Sequence, residues 1–181
     1  MARQYPGITR ELQDFIKQQK IFFVGTAAYD RRVNVSPKGM DTFRIINENK
    51  VYWLNLTGSG NETAAHLLEN NRMTIMFLAF EGEPMILRLY GQARVIHPRD
   101  SQWDKLISLF PPLVGARQVI DVEVDLAQTS CGMGVPCFDY VAERDFLKRW
   151  AEKKGKKGLR KHWRDKNQLS IDGKPTKILY S

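Results

Sequence analysis

The sequence predicts an α+β protein in which a largely antiparallel sheet of six to seven strands curls toward a barrel with helices on its flanks. Strand-like runs come in neighbouring pairs joined by short polar turns, so they pair as hairpins. Helical patterns fall between groups of strands and not between every pair, which argues against a parallel α/β sheet. Gly91 breaks the longest run, MILRLYGQARVI at 85–96, where a small barrel needs a bulge or a bend.

Taken in order, Thr9 to Gln19 places Leu12, Phe15 and Ile16 at helical spacing behind an N-cap threonine. IFFVGTAA at 21–28 is a compact apolar strand, and YDRR at 29–32 turns it into a second strand, Val33 to Ser36. Ser36-Pro37-Lys38-Gly39 ends that strand and leaves Lys38 projecting. Phe43 to Ile46 and Val51 to Leu56 form a hairpin across Asn47-Glu48-Asn49-Lys50. A helix follows through Leu68, closed by Asn70-Asn71, a pair tolerant of the left-handed conformation.

Arg72 to Phe80 and Met85 to Ile96 are the two clearest strands, joined by Glu81-Gly82-Glu83-Pro84. Pro98 to Phe110 reads as a helix with Trp103, Leu106, Ile107 and Phe110 on one stripe. Gln118 to Leu126 alternates, which predicts a strand with Val119, Asp121, Glu123 and Asp125 on a wet face. Ser130 to Pro136 is a Gly-rich loop, and Asp139 to Lys154 is helical in pattern, with Val141, Phe146, Leu147 and Trp150 as core candidates. One domain spanning residues 1–181 is expected, since 181 residues with 43% hydrophobic content suffice for one core.

The formal charge of +8 is concentrated. Lys148 to Lys166 holds ten Lys or Arg against two acids, and the rest of the chain is neutral. The basic C-terminal segment, about 148–181, is either a solvated face or an arm for an anionic partner. Cys131 and Cys137 are too few for a disulfide framework and fit no zinc spacing, and Cys131 reads as a quiet, partly buried thiol. No run matches a signal peptide or a membrane span, so a cytoplasmic protein is the expectation. There is no GxxxxGK[ST] loop, and His66, His97 and His162 are scattered, which makes a metal site unexpected.

Chemistry concentrates in VYWLNLTGSGNETAAHLL at 51–68. Gly58 and Gly60 free the backbone, and Ser59 or Asn61 is placed to cap a helix opened by Glu62 and Thr63. Such a helix start is either a plain capped turn or an anion site for phosphate. Arg32, Ser36 and Lys38 lie at strand ends in the same topological neighbourhood.

Five segments, FFVGTA at 22–27, RVNVSPKG at 32–39, VYWLNLTGSGNETAAHL at 51–67, RMTIMF at 72–77 and LRLYGQARVI at 87–96, together resemble the pyridoxamine 5′-phosphate oxidase-like flavoproteins. The resemblance covers about residues 10–130 and implies an FMN-binding split β-barrel. It implies a phosphate shell of Arg32, Lys38, Ser59, Asn61 and Thr63, with Gly60 also cofactor-binding and Val33, Asn34, Val35 and Ser36 lining the flavin ring. It also implies a homodimer and an FMN-dependent oxidoreductase passing hydride through flavin N5, with a small-molecule substrate left unidentified and no catalytic residue named.

Two departures stand out. The vitamin B6 oxidases carry an Arg-Lys pair after the serine where this chain has Gly60-Asn61, and their C-terminal Arg/His substrate signature is missing from PTKILYS at 175–181. The vitamin B6 substrate is therefore not carried over, and the chain resembles an uncharacterised branch. The segment SCGMGVP with Tyr140, Glu143 and Arg144 is a candidate cover for the flavin. The basic tail is expected to stand apart from the cofactor site, because the motifs all lie upstream. The alternatives are a non-enzymatic flavin- or haem-binding carrier or sensor, and a nucleic-acid-binding protein using the tail; Trp150 and Trp163 alone make a poor stacking ladder for the latter.

Overall fold

The computed structural model describes residues 2–179, so the first and last residues of the expected domain, and Tyr180 and Ser181 of the terminal motif, lie outside it. Eight strands form one antiparallel sheet, one more than the upper sequence count. They are β1 (Arg3–Tyr5), β2 (Phe22–Ala27), β3 (Val33–Lys38), β4 (Phe43–Asn47), β5 (Lys50–Leu56), β6 (Arg72–Leu78), β7 (Met85–Ile96) and β8 (Ala116–Cys131). The order is β3-β2-β6-β7-β8-β5-β4, with β1 attached to β8. The two ends of that path, β3 and β4, are consecutive in the chain, which is the layout of a curled sheet. Phe43 on β4 meets Phe22 on β2 and Phe77 on β6 at ring distances of 5.1 and 5.2 Å, closing the interior. Tilted and edge-to-face aromatic packing of this kind adds to the area term.

The interior is apolar by alternation. Phe22 and Val24, Val51 and Trp53, Ile75 and Phe77, Leu87 and Leu89, and Ile120 and Val122 all point inward and are fully buried. Helix α1 (Arg10–Gln18) is capped by Thr9, whose Oγ1 accepts from the Leu12 amide at 3.4 Å, and buries Leu12 and Ile16. Helix α2 (Glu62–Glu69) packs on β2 and β7. Helix α3 (Trp103–Ile107) is much shorter than the predicted 98–110 stretch, because Pro98 sits in the turn that precedes it. Its stripe nonetheless packs as expected, with Leu106 and Phe110 against Leu54, Ile96 and Val119.

That cluster overturns part of the β8 reading. Glu123 and Asp125 are exposed as expected, but Val119 and Asp121 are buried. Val119 lies under α3, and the Asp121 carboxylate sits 2.7 Å from both Lys50 Nζ and Arg94 Nη2. A buried acid is tolerated when two cations share it. Asn70 does not adopt the left-handed conformation either; its backbone is extended and its Oδ1 accepts from the Arg72 amide at 3.2 Å.

The C-terminal third departs most from expectation. Residues 139–145 are not helical, and Val141 and Phe146, predicted core positions, are 91% and 66% exposed. Helix α4 runs instead over Phe146–Lys166, broken at Gly155, where φ is 60°. Cys131 and Cys137 are free and exposed, so the expected partly buried Cys131 thiol is not found. No described helix is long and apolar enough to cross a membrane.

Candidate functional site

Strand β3 is an edge strand whose side chains alternate. Asn34, Ser36 and Lys38 are half-buried on one face, and Val33, Val35 and Pro37 are exposed on the other. The inward face looks across a cavity of about 680 Å³ to the 58–63 turn and the start of α2. Of the sequence-predicted residues, Asn34, Ser36 and Lys38 line it from the inward face of β3, joined at its rim by Val33 at the strand's start and Arg32 in the turn before it. Ser59, Gly60, Asn61 and Thr63 line it from the turn and α2. Val35 is not among the lining residues, because strand alternation turns it outward, where it is 66% exposed.

The helix start is open. Asn61 occupies the N-cap position, yet neither its side chain nor that of Ser59 caps α2. Asn61 Oδ1 instead accepts from Asn55 Nδ2 at 3.4 Å, and its Nδ2 is buried without a partner. The first-turn amides of α2 therefore have no side-chain cap, as a helix start that takes an external anion requires. Thr63 Oγ1 accepts from Asn34 Nδ2 at 3.4 Å, which ties α2 to β3. Beneath it, His66 Nδ1 lies 3.1 Å from Thr26 Oγ1.

The two predicted cations differ in their state. Arg32 is ion-paired to Asp172, whose Oδ2 also accepts from the Arg32 amide at 3.0 Å. Lys38 has no carboxylate partner among the described residues, and its Nζ stands 5.0 Å from the Trp53 ring centroid. Burial, and then the Arg117 guanidinium, lower the Lys38 pKa to about 8.

Arg117 is the residue that the sequence reading missed. It opens the alternating part of β8, is 2% exposed, and lines the cavity. Its Nη1 donates to the Gly60 carbonyl at 2.9 Å and to Asn167 Oδ1 at 2.8 Å, and its Nη2 donates to Asn55 Oδ1 at 3.2 Å. Its Nε is buried without a partner. Burial lowers its pKa, but to a value that still leaves it charged at neutral pH.

The C-terminal segment, expected to stand apart, forms one wall. Asn167 Nδ2 donates to the Gly58 and Ser59 carbonyls at 3.2 and 3.3 Å, and Trp163 Nε1 donates to Thr57 Oγ1 at 2.8 Å. Lys166, Leu169, Ser170 and Ile171 line the cavity from this wall, and Glu62 of α2, which also lines it, accepts from the Ile171 amide at 3.1 Å. Lys174 anchors the returning chain to Asp30 and Glu69 at 2.6 and 2.8 Å. The lysines 153, 154, 156 and 157 are exposed and do not line the cavity. The SCGMGVP segment does not reach this cavity within the chain; Phe138 and Tyr140 lie instead beside Phe80 and Lys20.

A curled antiparallel sheet, with a helix start facing an edge strand across a cavity, defines a protein of the split-barrel class. The family model for pyridoxamine 5′-phosphate oxidase matches residues 8–131. A curated relative, the pyridoxamine 5′-phosphate oxidase family protein ustO of Aspergillus flavus, is 35% identical across 94% of this chain and 76% of its own length. The chain belongs to the pyridoxamine 5′-phosphate oxidase family. Among solved structures, HupZ of Group A Streptococcus aligns with a TM-score of 0.52 and 20% identity, covering 66% of this chain and 91% of that one. A candidate pyridoxamine 5′-phosphate oxidase of Lactobacillus delbrueckii aligns at 0.53 and 16%, covering 68% and 94%. These two likenesses bear on the fold alone.

Proposed function

We propose that the chain is an FMN-binding flavoprotein and acts as an oxidoreductase on a small molecule. The observation that carries the reading is the meeting of β3 and the uncapped α2 start across one cavity that holds a lysine without an acidic partner. Its size lies within the roughly 300–1,000 Å³ of small-molecule sites. The residues present fit a monophosphate: Lys38 supplies charge, Ser59 and Thr63 supply hydroxyls, and the α2 start supplies open amides. Asn34 and Ser36 on β3 are placed to line the ring.

Bound FMN would supply the hydride chemistry at its N5. The chain's own residues bind, orient and exclude water, and none of them is assigned a proton transfer. The same reading makes the protein a homodimer; the exposed Val33 and Val35 of β3, together with Phe138 and Val141, support an apolar contact between copies.

The expected result is tighter binding of FMN than of FAD, because the inferred anion site is built for one terminal phosphate. Titration of the apoprotein with each flavin, followed by fluorescence quenching, checks it. Equal or tighter binding of FAD would count against the reading.

A further inference from the structure

The Gly60-Asn61 turn brings no side-chain charge to the helix start, although it sits where an anion would lie. A phosphate held there needs its counter-charge from another element. Arg117 reaches the same turn from β8, with Nη1 2.9 Å from the Gly60 carbonyl. Its other two acceptors, Asn55 Oδ1 and Asn167 Oδ1, are also neutral. Among the described residues no carboxylate forms an ion pair with it, and three of its five N–H donors are engaged.

An arginine at 2% exposure without an acid is costly, and buried charges are ordinarily paired. Lys38 adds a second cation to the same cavity and is electrostatically disfavoured by Arg117. Two more buried donors at this end of the sheet, Asn61 Nδ2 and Gln118 Nε2, are unpartnered as well. Glu62 also lines the cavity, but its carboxylate accepts from the Ile171 amide at 3.1 Å and forms an ion pair with neither cation. Lys38, Arg117 and the spare N–H donors therefore remain the complement of an anion.

We propose that Arg117 is the buried counter-cation for the phosphate of the ligand, taking from β8 the role that the Gly60-Asn61 turn cannot fill. The proposal rests on the flavin reading for the identity of that ligand. Asn167 is its positioning residue: it fixes the guanidinium through Oδ1 and holds the turn through Nδ2. The start of the C-terminal wall is thereby coupled to the phosphate site, and loss of the anion would leave two cations facing each other.

The test is a titration of FMN and riboflavin against wild type, Arg117→Gln and Asn167→Asp, with far-UV circular dichroism to check folding. Arg117→Gln removes the charge. Asn167→Asp keeps the side-chain shape and sets a carboxylate at the position now 2.8 Å from Arg117 Nη1, neutralising it internally. It also loses the Nδ2 bonds to the Gly58 and Ser59 carbonyls, an effect that the riboflavin titration reads separately. Both variants are expected to lose FMN affinity roughly tenfold or more while riboflavin changes far less, since a charge-assisted bond is lost only with the phosphate ester. If Arg117→Gln fails to fold, Asn167→Asp decides alone.

Equal losses for both ligands, or no loss for either, would overturn the role of Arg117 while leaving wild-type FMN binding, and hence the flavin reading, intact. If wild type binds neither flavin, melting in inorganic phosphate against chloride of equal ionic strength takes over. A phosphate-dependent rise in Tm that vanishes in Asn167→Asp would keep Arg117 as an anion anchor and discard the flavin. No such rise in wild type would overturn both.

Discussion

Lys38→Met is expected to weaken FMN binding roughly tenfold or more at pH 7 while leaving riboflavin nearly unchanged. The ammonium sits at the inner end of β3, half-buried over Trp53 and without a carboxylate, so a bound phosphate would be its only anionic partner. The pH dependence follows from its free-state pKa of about 8, held down first by burial and then by Arg117. As pH rises from 7 to 9 the free protein loses this proton and wild-type FMN affinity should fall, whereas the Lys38→Met variant, left with Arg117 alone, should fall less.

Stability of the free protein moves the opposite way. The folded pKa of Lys38 is lower than the unfolded value of 10.5, so between about pH 8 and 10.5 the unfolded chain holds the extra proton. The Lys38 contribution to stability therefore rises with pH across that window, and the difference between wild type and Lys38→Met isolates it. Calorimetric titrations at pH 7, 8 and 9 check the affinity arm. A pH-independent wild-type affinity would remove Lys38 from the phosphate site.

Gly91→Val should cost about 3 kcal/mol or more of folding stability, at the upper end of overpacking penalties. The pairing of β7 with β8 slips at this position: Tyr90 faces Leu126 and Gly91 faces Val124, leaving Asp125 as the extra residue of a bulge. A Cβ on Gly91 would overlap the Glu123 carbonyl oxygen and come within 3.0 Å of Val124 Cα. The obstruction is backbone, so no side-chain rotation relieves it. Urea unfolding measures the loss, and a variant as stable as wild type would show that the two strands separate there at no cost.

Gly91 also marks how far the sequence is legible. A glycine inside a twelve-residue strand is a local signal with a local cause, and the bulge stands at that place. The hairpins β2–β3, β4–β5 and β6–β7 were equally readable, because alternation and turn residues lie within each pair. Strand β1 was not, since three residues, RQY, carry no period and pair only with the distant end of β8.

The misread positions share a tertiary origin. Asp121 and Val119 alternate as wet residues, and they are buried because Lys50, Arg94 and α3 arrive from elsewhere. Val141 and Phe146 belong to the stretch read as helical, yet among the described residues they stay largely exposed, with only Arg149 over the Phe146 ring. For the site, β3 and the α2 turn were legible because strand parity and the Gly-Ser-Gly-Asn turn are local. Arg117 lies just before the alternating run at 118–126 and shares the parity of Val119 and Asp121, so that run gives no sign of its burial. Asn167 lies in a basic segment whose charges concealed its contact with the turn.

The central claim is that the cavity between β3 and α2 holds the phosphate of FMN. The most direct measurement is a side-by-side titration of the wild-type apoprotein with FMN and riboflavin, ligands that differ only in that phosphate. The account predicts FMN tighter by roughly tenfold or more, the worth of a charge-assisted contact. Equal affinities, or binding of neither, would contradict it.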